Sequence, residues 1–197
     1  MPFQIFISYA RNDDLSPIGK TGGKGFVSLL YDLLNYEFTL LGPHRPVLWR
    51  DRSNVELSGQ FDPLIDDALN SSSCLMVVLS RNWLDRAYCR RELDLFAQRW
   101  SAANDIDVKR RIIVVGKNFV EAANRPKWLQ GQQGYLFYTF DDPQDVGKAG
   151  KEIEFFTDGA ASDDYYLLVR ELARDAWRRA QSALSDEAKT PAPSAAR

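Results

Sequence analysis

The sequence has little of what a metal centre, a disulfide framework or a histidine-dependent nucleophile requires. It contains two cysteines, Cys74 and Cys89, and a single histidine, His44. The cysteines lack CxxC spacing and a set of partner ligands, and no histidine lies near Cys89 in the sequence. We therefore expect no bound metal, no Cys/His or Ser/His catalytic dyad, and a reduced, cytoplasmic setting for both thiols.

Strong charge of one sign and long apolar runs are also missing. The formal net charge is −2, which provides no basic surface for nucleic acid or for an anionic membrane. A membrane span needs about 18 consecutive apolar residues, and the sequence has no such run. The N-terminus has no basic flank and only a short apolar run, so we expect no signal peptide. Nucleic acid and membranes are therefore not expected partners.

Apolar residues are nevertheless abundant enough for one packed domain. They make up 45% of the chain, and 11 Phe, 8 Tyr and 5 Trp argue against disorder over most of its length. From Ser185 the sequence changes to small and polar residues with two prolines, which bury too little apolar surface to offset an ordering entropy of about 1–2 kcal/mol per residue. We predict a domain over residues 1–184 and a disordered tail or linker over 185–197.

Short apolar runs typical of buried strands alternate with helical patterns. The strand-like runs cover residues 3–7, 47–49, 74–79, 112–115 and 135–140. Apolar residues at helical spacing cover residues 26–38, 61–69, 86–100 and 166–180. This alternation predicts an α/β, flavodoxin-like fold. Its doubly wound, five-stranded parallel sheet would have the order 2-1-3-4-5 and carry helices on both faces.

Three segments have less definite patterns. Between Lys117 and Gly134 we predict one short helix, since Pro126 would end any longer one. The polar stretch over 141–164, with an apolar patch at 153–156, predicts either a short helix or a mobile loop. The glycine-rich segment over 19–25 is not a phosphate-binding P-loop, because it starts well after the first strand and has Asp14 where the first glycine belongs. It is predicted to be a mobile, basic loop.

Several polar and aromatic residues follow the predicted strands. In a sheet of this order, ligands bind at the carboxyl ends of the strands, between the first and third. The first strand is followed by Tyr9, Ala10 and Arg11, the second by Asp51, and the third by Ser80-Arg81-Asn82-Trp83. Tyr88 and Glu92 are four residues apart, on one face of the next helix. We expect these side chains to meet in one cleft.

Each of these residues also has a simpler interpretation when it is considered alone. Most helical glutamates are solvated, so Glu92 is by itself a weak signal. Tyr88 and Trp83 are typical core aromatics, Asp51 is typical of a turn, and Arg11 is typical of a surface charge. A phospho-relay receiver domain of the same strand order is excluded because serines, Ser8 and Ser80, stand where that domain needs its acidic residues.

Three motifs in order carry a resemblance to a known family. They are FISYA at 6–10, LWRD at 48–51 with Gly59 after it, and SRNWL at 80–84 leading to YCRREL at 88–93. Together they resemble the TIR (Toll/interleukin-1 receptor) domain in its bacterial form, closely over residues 3 to about 100. The order of strands and helices extends the resemblance to about residue 182.

The resemblance implies that NAD⁺ is cleaved between nicotinamide and ribose, as in many bacterial members. The family's catalytic glutamate falls on Glu92, and no cofactor or metal is implied besides NAD⁺ as the substrate. Tyr88 stands where the family often has tryptophan, which keeps an aromatic face. The residues expected to bind the substrate are Tyr9, Ala10, Arg11, Asp51, Trp83 and Tyr88.

Two functional classes follow from the resemblance. The first is an NAD⁺ glycohydrolase or cyclase of a bacterial defence or effector system, activated by self-assembly with other TIR domains and linked to a sensor domain or protein. The second is a non-enzymatic adaptor that acts through homotypic TIR–TIR contacts. The glutamate in its Cys-x-x-Glu context favours the enzyme, because an adaptor needs no carboxylate there. A nucleoside-processing transferase of related fold is a third alternative.

Overall fold

A five-stranded parallel sheet forms the centre of the molecule. The computed structural model describes residues 3–16, 23–51, 63–101, 105–140, 150–157 and 160–189. The strands are β1 (Gln4–Ser8), β2 (Val47–Arg50), β3 (Ser72–Leu79), β4 (Ile112–Gly116) and β5 (Tyr135–Leu136). Their order is β2-β1-β3-β4-β5, and every neighbouring pair is parallel. The predicted fold class and strand order are confirmed.

Helices cover both faces of the sheet, which explains why the strands are apolar along their whole length. The helices are α1 (Phe26–Leu41), α2 (Pro63–Ser71), α3 (Arg81–Asp85), α4 (Ala87–Trp100), α5 (Asp105–Arg111) and α6 (Asp163–Lys189). Cys74, Met76 and Val78 of β3 pack on the side of α1 and α6. Leu75 and Val77 pack on the opposite side, with α2 to α5. Side chains alternate along a strand, so one strand supplies both cores.

The predicted fifth strand over 135–140 is wrong in its length. After Leu136 the chain leaves the parallel sheet, and β6 (Tyr138–Thr139) pairs antiparallel with β7 (Lys151–Glu152). Phe137 marks the junction: its N–H donates to the carbonyl of Gly116 at 2.8 Å, and its carbonyl accepts from Ile153 at 2.9 Å. The backbone of Phe137 thus joins the sheet to a small hairpin, and its buried ring fixes this position.

The segments with indefinite patterns also differ from their predictions. In place of a short helix or a loop over 141–164, the described residues form β7 and the antiparallel pair β8 (Phe156–Thr157) and β9 (Ala160–Ala161). The helix predicted between Lys117 and Gly134 is replaced by two 3-10 turns on either side of Pro126, at Ala122–Asn124 and Lys127–Leu129. Most of the predicted glycine-rich loop lies outside the described residues.

The ends of two helices depart from the sequence pattern. Helix α6 continues to Lys189 and so includes the first residues of the predicted tail, because a helix extends readily once its first turns are packed. Residues 190–197 lie outside the described residues. In α2, Leu64 was expected on the buried face but is 70% exposed. No helix in the described ranges is long and apolar enough to cross a membrane.

Candidate active site

Glu92 lies on the face of α4 that packs against the sheet. Cys89, Leu93 and Phe96 hold this face in the core with exposures of at most 1%, and Glu92, three residues after Cys89, belongs to the same stripe. Only 4% of Glu92 is exposed. Its place in the apolar stripe of α4 is the reason why this carboxylate is buried, unlike most helical glutamates.

The Glu92 carboxylate accepts a short hydrogen bond from the end of β1. The Ser8 hydroxyl donates to Glu92 Oε2 at 2.5 Å. Burial raises the pKa of Glu92 to about 8, because the charged form loses hydration. The hydrogen bond from Ser8, the nearby Tyr88 hydroxyl and the charge of Arg91 lower the pKa of Glu92 and so oppose this rise. The charge of Asp51 adds to the rise. Glu92 is therefore a carboxyl group that titrates near neutral pH.

Tyr88 lies one helical turn before Glu92. Its hydroxyl oxygen is buried and makes no hydrogen bond of good geometry among the described residues, although it lies close enough to Glu92 for each to affect the pKa of the other. Burial and the Glu92 charge raise the pKa of Tyr88 well above its usual range. The Tyr88 hydroxyl therefore keeps its proton and is a donor without a well-aligned acceptor.

A second group of contacts ties the residues after β1 to the end of β2. The Tyr9 hydroxyl donates to the backbone carbonyl of Asp51 at 2.6 Å. Arg11 Nη2 lies 3.1 Å from Asp51 Oδ2, in a partly exposed ion pair. Burial raises the pKa of Tyr9, so its hydroxyl is also a proton donor. Asp51 is thus the point where three of the predicted residues meet.

A small pocket lies between these two groups. Its volume is ≈10 Å³, which is about the space that one water molecule needs. Five of the seven predicted site residues line it together with Ile7, and these are Tyr9, Arg11, Asp51, Tyr88 and Glu92. The structure therefore brings most of the predicted site together at the carboxyl edge of the sheet, as the strand order requires.

Ala10 and Trp83 lie outside this pocket. Both are fully buried. The carbonyl of Ala10 accepts the backbone N–H of Asp13 at 2.8 Å, which begins a 3-10 turn at Arg11–Asp14. The indole Nε1 of Trp83 donates to Ser8 Oγ at 3.0 Å. Residues 52–60, which include the rest of the predicted loop after β2, lie outside the described residues.

A buried carboxylate that the sequence did not reveal lies nearby. Asp13 is 2% exposed, and its carboxylate accepts from Ser80 Oγ at 2.5 Å and from Asn82 Nδ2 at 2.8 Å. Lys117, just after β4, places its Nζ 3.9 Å from Asp13 Oδ1. Asp13 stands in the polar run Arg-Asn-Asp-Asp, which has no pattern that separates a buried member from its exposed neighbours. The sequence signal for this cluster is limited to the polar residues that follow β3 and β4, which include Ser80, Asn82 and Lys117.

The other candidate chemistries find no support in the described residues. No group of three or more His, Cys, Asp or Glu residues with metal-binding geometry occurs there. Cys89 is fully buried in the core, and His44 is exposed in the loop before β2. A larger surface depression of ≈230 Å³ contains none of the predicted site residues; it is lined by Arg81, Leu84, Phe119, Val120, Glu121 and Asn124.

One comparison with known proteins gave a match. The family model of the TIR domain matches residues 5–149, which include every residue of the pocket and the Asp13 cluster through Lys117. Searches of curated proteins and of solved structures gave no significant match.

Proposed function

The chain belongs to the TIR domain family, and we propose that it cleaves NAD⁺ at the bond between nicotinamide and ribose. The observation that carries the proposal is the buried Glu92 carboxylate, which lies beside Tyr88 and Asp51 in a pocket at the carboxyl edge of the sheet. A buried carboxyl group whose pKa is raised toward neutrality is typical of a functional site.

The proposed reaction depends on the electrostatic effect of Glu92. The bond between C1′ of the ribose and N1 of nicotinamide breaks, and its electron pair goes to the positively charged ring, which leaves as neutral nicotinamide. The ribose is left as an oxocarbenium-like cation. The Glu92 carboxylate stabilises this charge and holds the ribose hydroxyls. Water attacks C1′ and releases a proton to give ADP-ribose, or an adenine or ribose atom attacks and gives a cyclic product.

Glu92 must be ionised for this role. With a pKa of about 8 in the free protein, much of the carboxyl group carries a proton at neutral pH. The positive charge of a bound nicotinamide ring favours the carboxylate, so substrate binding itself promotes the active form. NAD⁺ is the substrate in this scheme, which assigns no step to a cofactor.

The other pocket residues are assigned to substrate binding. Tyr88 and Tyr9 present aromatic faces for the nicotinamide and ribose. Arg11 is suited to the diphosphate, since arginine binds phosphate oxygens with paired N–H groups. Its ion pair with Asp51 would then be exchanged for one with the substrate.

The small volume of the pocket supports activation by assembly. A space of ≈10 Å³ does not admit a nucleotide, so the lining residues must move apart before NAD⁺ binds. We propose that contacts with other copies of the domain, near Asp51, provide this opening. Such control suits a cytoplasmic defence or effector system of a bacterium, in which a sensor domain or protein brings the copies together.

A non-enzymatic adaptor is the second candidate. The same small pocket favours it, because an adaptor that works through TIR–TIR contacts needs no space for a nucleotide. The buried Glu92 opposes it, because a buried ionisable group reduces stability without serving a docking surface.

One experiment separates these candidates. Concentrated protein, whose assembly is verified by light scattering or electron microscopy, is incubated with NAD⁺, and free nicotinamide is followed by chromatography. We expect release from the wild type and none above background from Glu92→Ala. Glu37→Gln is the matched control, since Glu37 is a buried glutamate in α1, bonded to Tyr166 and remote from the pocket.

The outcomes of this experiment are distinct. No release from assembled wild-type protein would contradict the enzyme and leave the adaptor. Equal release from the wild type and from Glu92→Ala would assign the chemistry to another residue. A loss of release in Glu37→Gln equal to that in Glu92→Ala would mean that the effect comes from general destabilisation.

A further inference from the structure

A chain of two hydrogen bonds leads from Trp83 to the Glu92 carboxylate. The indole Nε1 of Trp83 donates to Ser8 Oγ at 3.0 Å, and Ser8 Oγ donates to Glu92 Oε2 at 2.5 Å. Trp83 and Ser8 are fully buried, and Glu92 is 4% exposed. Water therefore has little access to the indole of Trp83 or the hydroxyl of Ser8, and each of these two groups depends on the next group in the chain for its hydrogen bond.

The direction of the two bonds is determined by the chemistry of the side chains. An indole N–H can only donate, so it must use Ser8 Oγ as an acceptor. A serine hydroxyl can rotate its proton, but a proton turned toward Trp83 would meet another donor. The Ser8 proton is consequently directed to Glu92, where it makes a charge-assisted bond with the carboxylate.

Trp83 is itself held in place from two sides. Ser80 Oγ accepts the backbone N–H of Trp83 at 2.9 Å, as the N-cap of α3, and donates to the Asp13 carboxylate. The Trp83 ring packs in the core between the sheet and α4. The indole N–H is thus presented to Ser8 by a rigid element, which is what a precise site requires.

We propose that Ser8 and Trp83 are positioning residues for Glu92, which hold Oε2 in place and favour the ionised carboxylate, so that Oε1 can engage the ribose of the substrate. The inference rests on the proposed NAD⁺ cleavage for its catalytic consequence. The hydrogen bonds themselves, and their effect on the ionisation of Glu92, do not depend on that function.

Other groups near Glu92 act more weakly or in the opposite sense. Tyr88, on the same helix, lies near the carboxylate without a well-aligned bond, and Arg91 lies partly exposed beside it. Asp51, at the end of β2, disfavours the carboxylate. Arg11 lines the pocket but pairs with Asp51. Among these contacts, the Ser8 bond is the strongest factor that favours the charged form.

The test compares the pH dependence of Ser8→Ala and Trp83→Phe with the wild type. Loss of the Ser8 donor should raise the pKa of Glu92 by about one unit, the size expected for a hydrogen bond to a charged group. Activity at pH 7, measured as kcat/KM for NAD⁺, should fall about tenfold and recover as the pH approaches 9. Trp83→Phe should shift the profile in the same direction by less, because Ser8 can still donate.

Two matched controls exclude a general packing effect. Ser73→Ala removes a buried serine near the start of β3, at the end of the strand away from the candidate site. Trp177→Phe removes a buried indole N–H that has no hydrogen-bond partner among the described residues. Both should leave the pH profile unchanged. Ser8→Ala removes only one oxygen atom, so it remains informative if Trp83→Phe does not fold.

A readout without turnover separates this inference from the proposed function. The difference in melting temperature between each protein and its Glu92→Gln derivative, followed from pH 5 to 9, reports the ionisation of Glu92. A shift toward higher pH in Ser8→Ala supports the inference even if no protein cleaves NAD⁺. An unchanged ionisation midpoint, or an activity loss that is equal at every pH, would overturn it.

Discussion

Two buried carboxylates lie at the same edge of the sheet, and their surroundings differ. Asp13 accepts hydrogen bonds from Ser80 and Asn82, and Lys117 lies 3.9 Å away as a counter-charge. Among the described residues, Glu92 accepts one well-aligned bond, from Ser8, and forms no ion pair. Glu92 also borders a pocket, whereas the Asp13 side chain is fully enclosed.

This difference separates a carboxylate with a structural role from one that is a candidate for chemistry. Burial raises the pKa of both groups. At Asp13 the donors and the nearby cation use the acceptor capacity of the carboxylate, and together they join β1 to the residues after β3 and β4. At Glu92 acceptor capacity remains beside a pocket that has room for about one water molecule. A buried charge that its own protein leaves incompletely satisfied is the better candidate for chemistry.

The largest expected difference between variants of Glu92 and variants of Asp13 is in NAD⁺ cleavage. Glu92→Gln keeps the size of the side chain but removes the charge, so nicotinamide release should fall by about 10²-fold or more, the usual effect of losing one electrostatic contact in a transition state. Asp13→Asn should retain activity within about fivefold, because it acts only through the position of Trp83. Chromatography of nicotinamide at matched protein concentration measures both. A larger loss in Asp13→Asn than in Glu92→Gln would reverse the assignment.

The next contrast is in stability. Asp13→Ala leaves the donors of Ser80 and Asn82 and the Lys117 charge without their acceptor, and should lower the free energy of unfolding by about 2–4 kcal/mol. Urea unfolding at pH 7 measures the change. Asp94→Ala, at an exposed position of α4, is the control and should change stability by less than about 0.5 kcal/mol. Equal effects in the two variants would show that the Asp13 cluster contributes little.

The third contrast is in the pH dependence of stability. The pKa of Glu92 is raised from 4.5 to about 8 on folding, so the folded state binds this proton more tightly than the unfolded state. The resulting stabilisation is fully present below about pH 4.5 and is lost as the pH rises through about 8. Glu92→Gln lacks this titration and should gain about 4 kcal/mol relative to the wild type between pH 5 and 9. The Asp13 contribution is common to both proteins and cancels in the difference.

Urea unfolding of both proteins at several pH values measures this gain. A constant difference between them across the range would show that Glu92 does not titrate there. A relative gain toward lower pH would have the wrong sign for a buried carboxyl group and would point to an unrecognised cation beside it.

The fold was predictable because it depends on periodicity. Five apolar runs separated by helical stripes specify the strand order, and the confirmed order brings the ends of β1, β2 and β3 together. The exceptions are local. A single apolar run at 135–140 contains both the end of the parallel sheet and the start of a hairpin, and only the pairing of Phe137 with Gly116 and Ile153 separates them.

The sequence predicted most of the residues that lie together in the candidate site. It did not predict the hydrogen bonds that hold them in place. Tyr9, Arg11, Asp51, Tyr88 and Glu92 converge as expected from strand order and helical spacing. The hydrogen bonds from Trp83 to Ser8 and from Ser8 to Glu92 depend on tertiary packing between α3, β1 and α4, which no local pattern encodes. The enclosure of Asp13 likewise depends on residues distant in sequence.

The smallest contrast is between the hydroxyl groups of Ser8 and Tyr88, which both lie near Glu92. Ser8 donates a well-aligned hydrogen bond to the Glu92 carboxylate, and its predicted effect is given above. The Tyr88 hydroxyl has no well-aligned partner among the described residues, so Tyr88→Phe removes an unsatisfied buried group and should raise the free energy of unfolding by about 1 kcal/mol. Activity at pH 7 should fall only about twofold to threefold, because the weak donor near Glu92 is lost while the aromatic face remains. Parallel measurements of unfolding and nicotinamide release test this. If Tyr88→Phe instead matched Glu92→Gln in lost activity, the Tyr88 hydroxyl would take part in the chemistry, and the unsatisfied donor would be the group that the substrate pairs with.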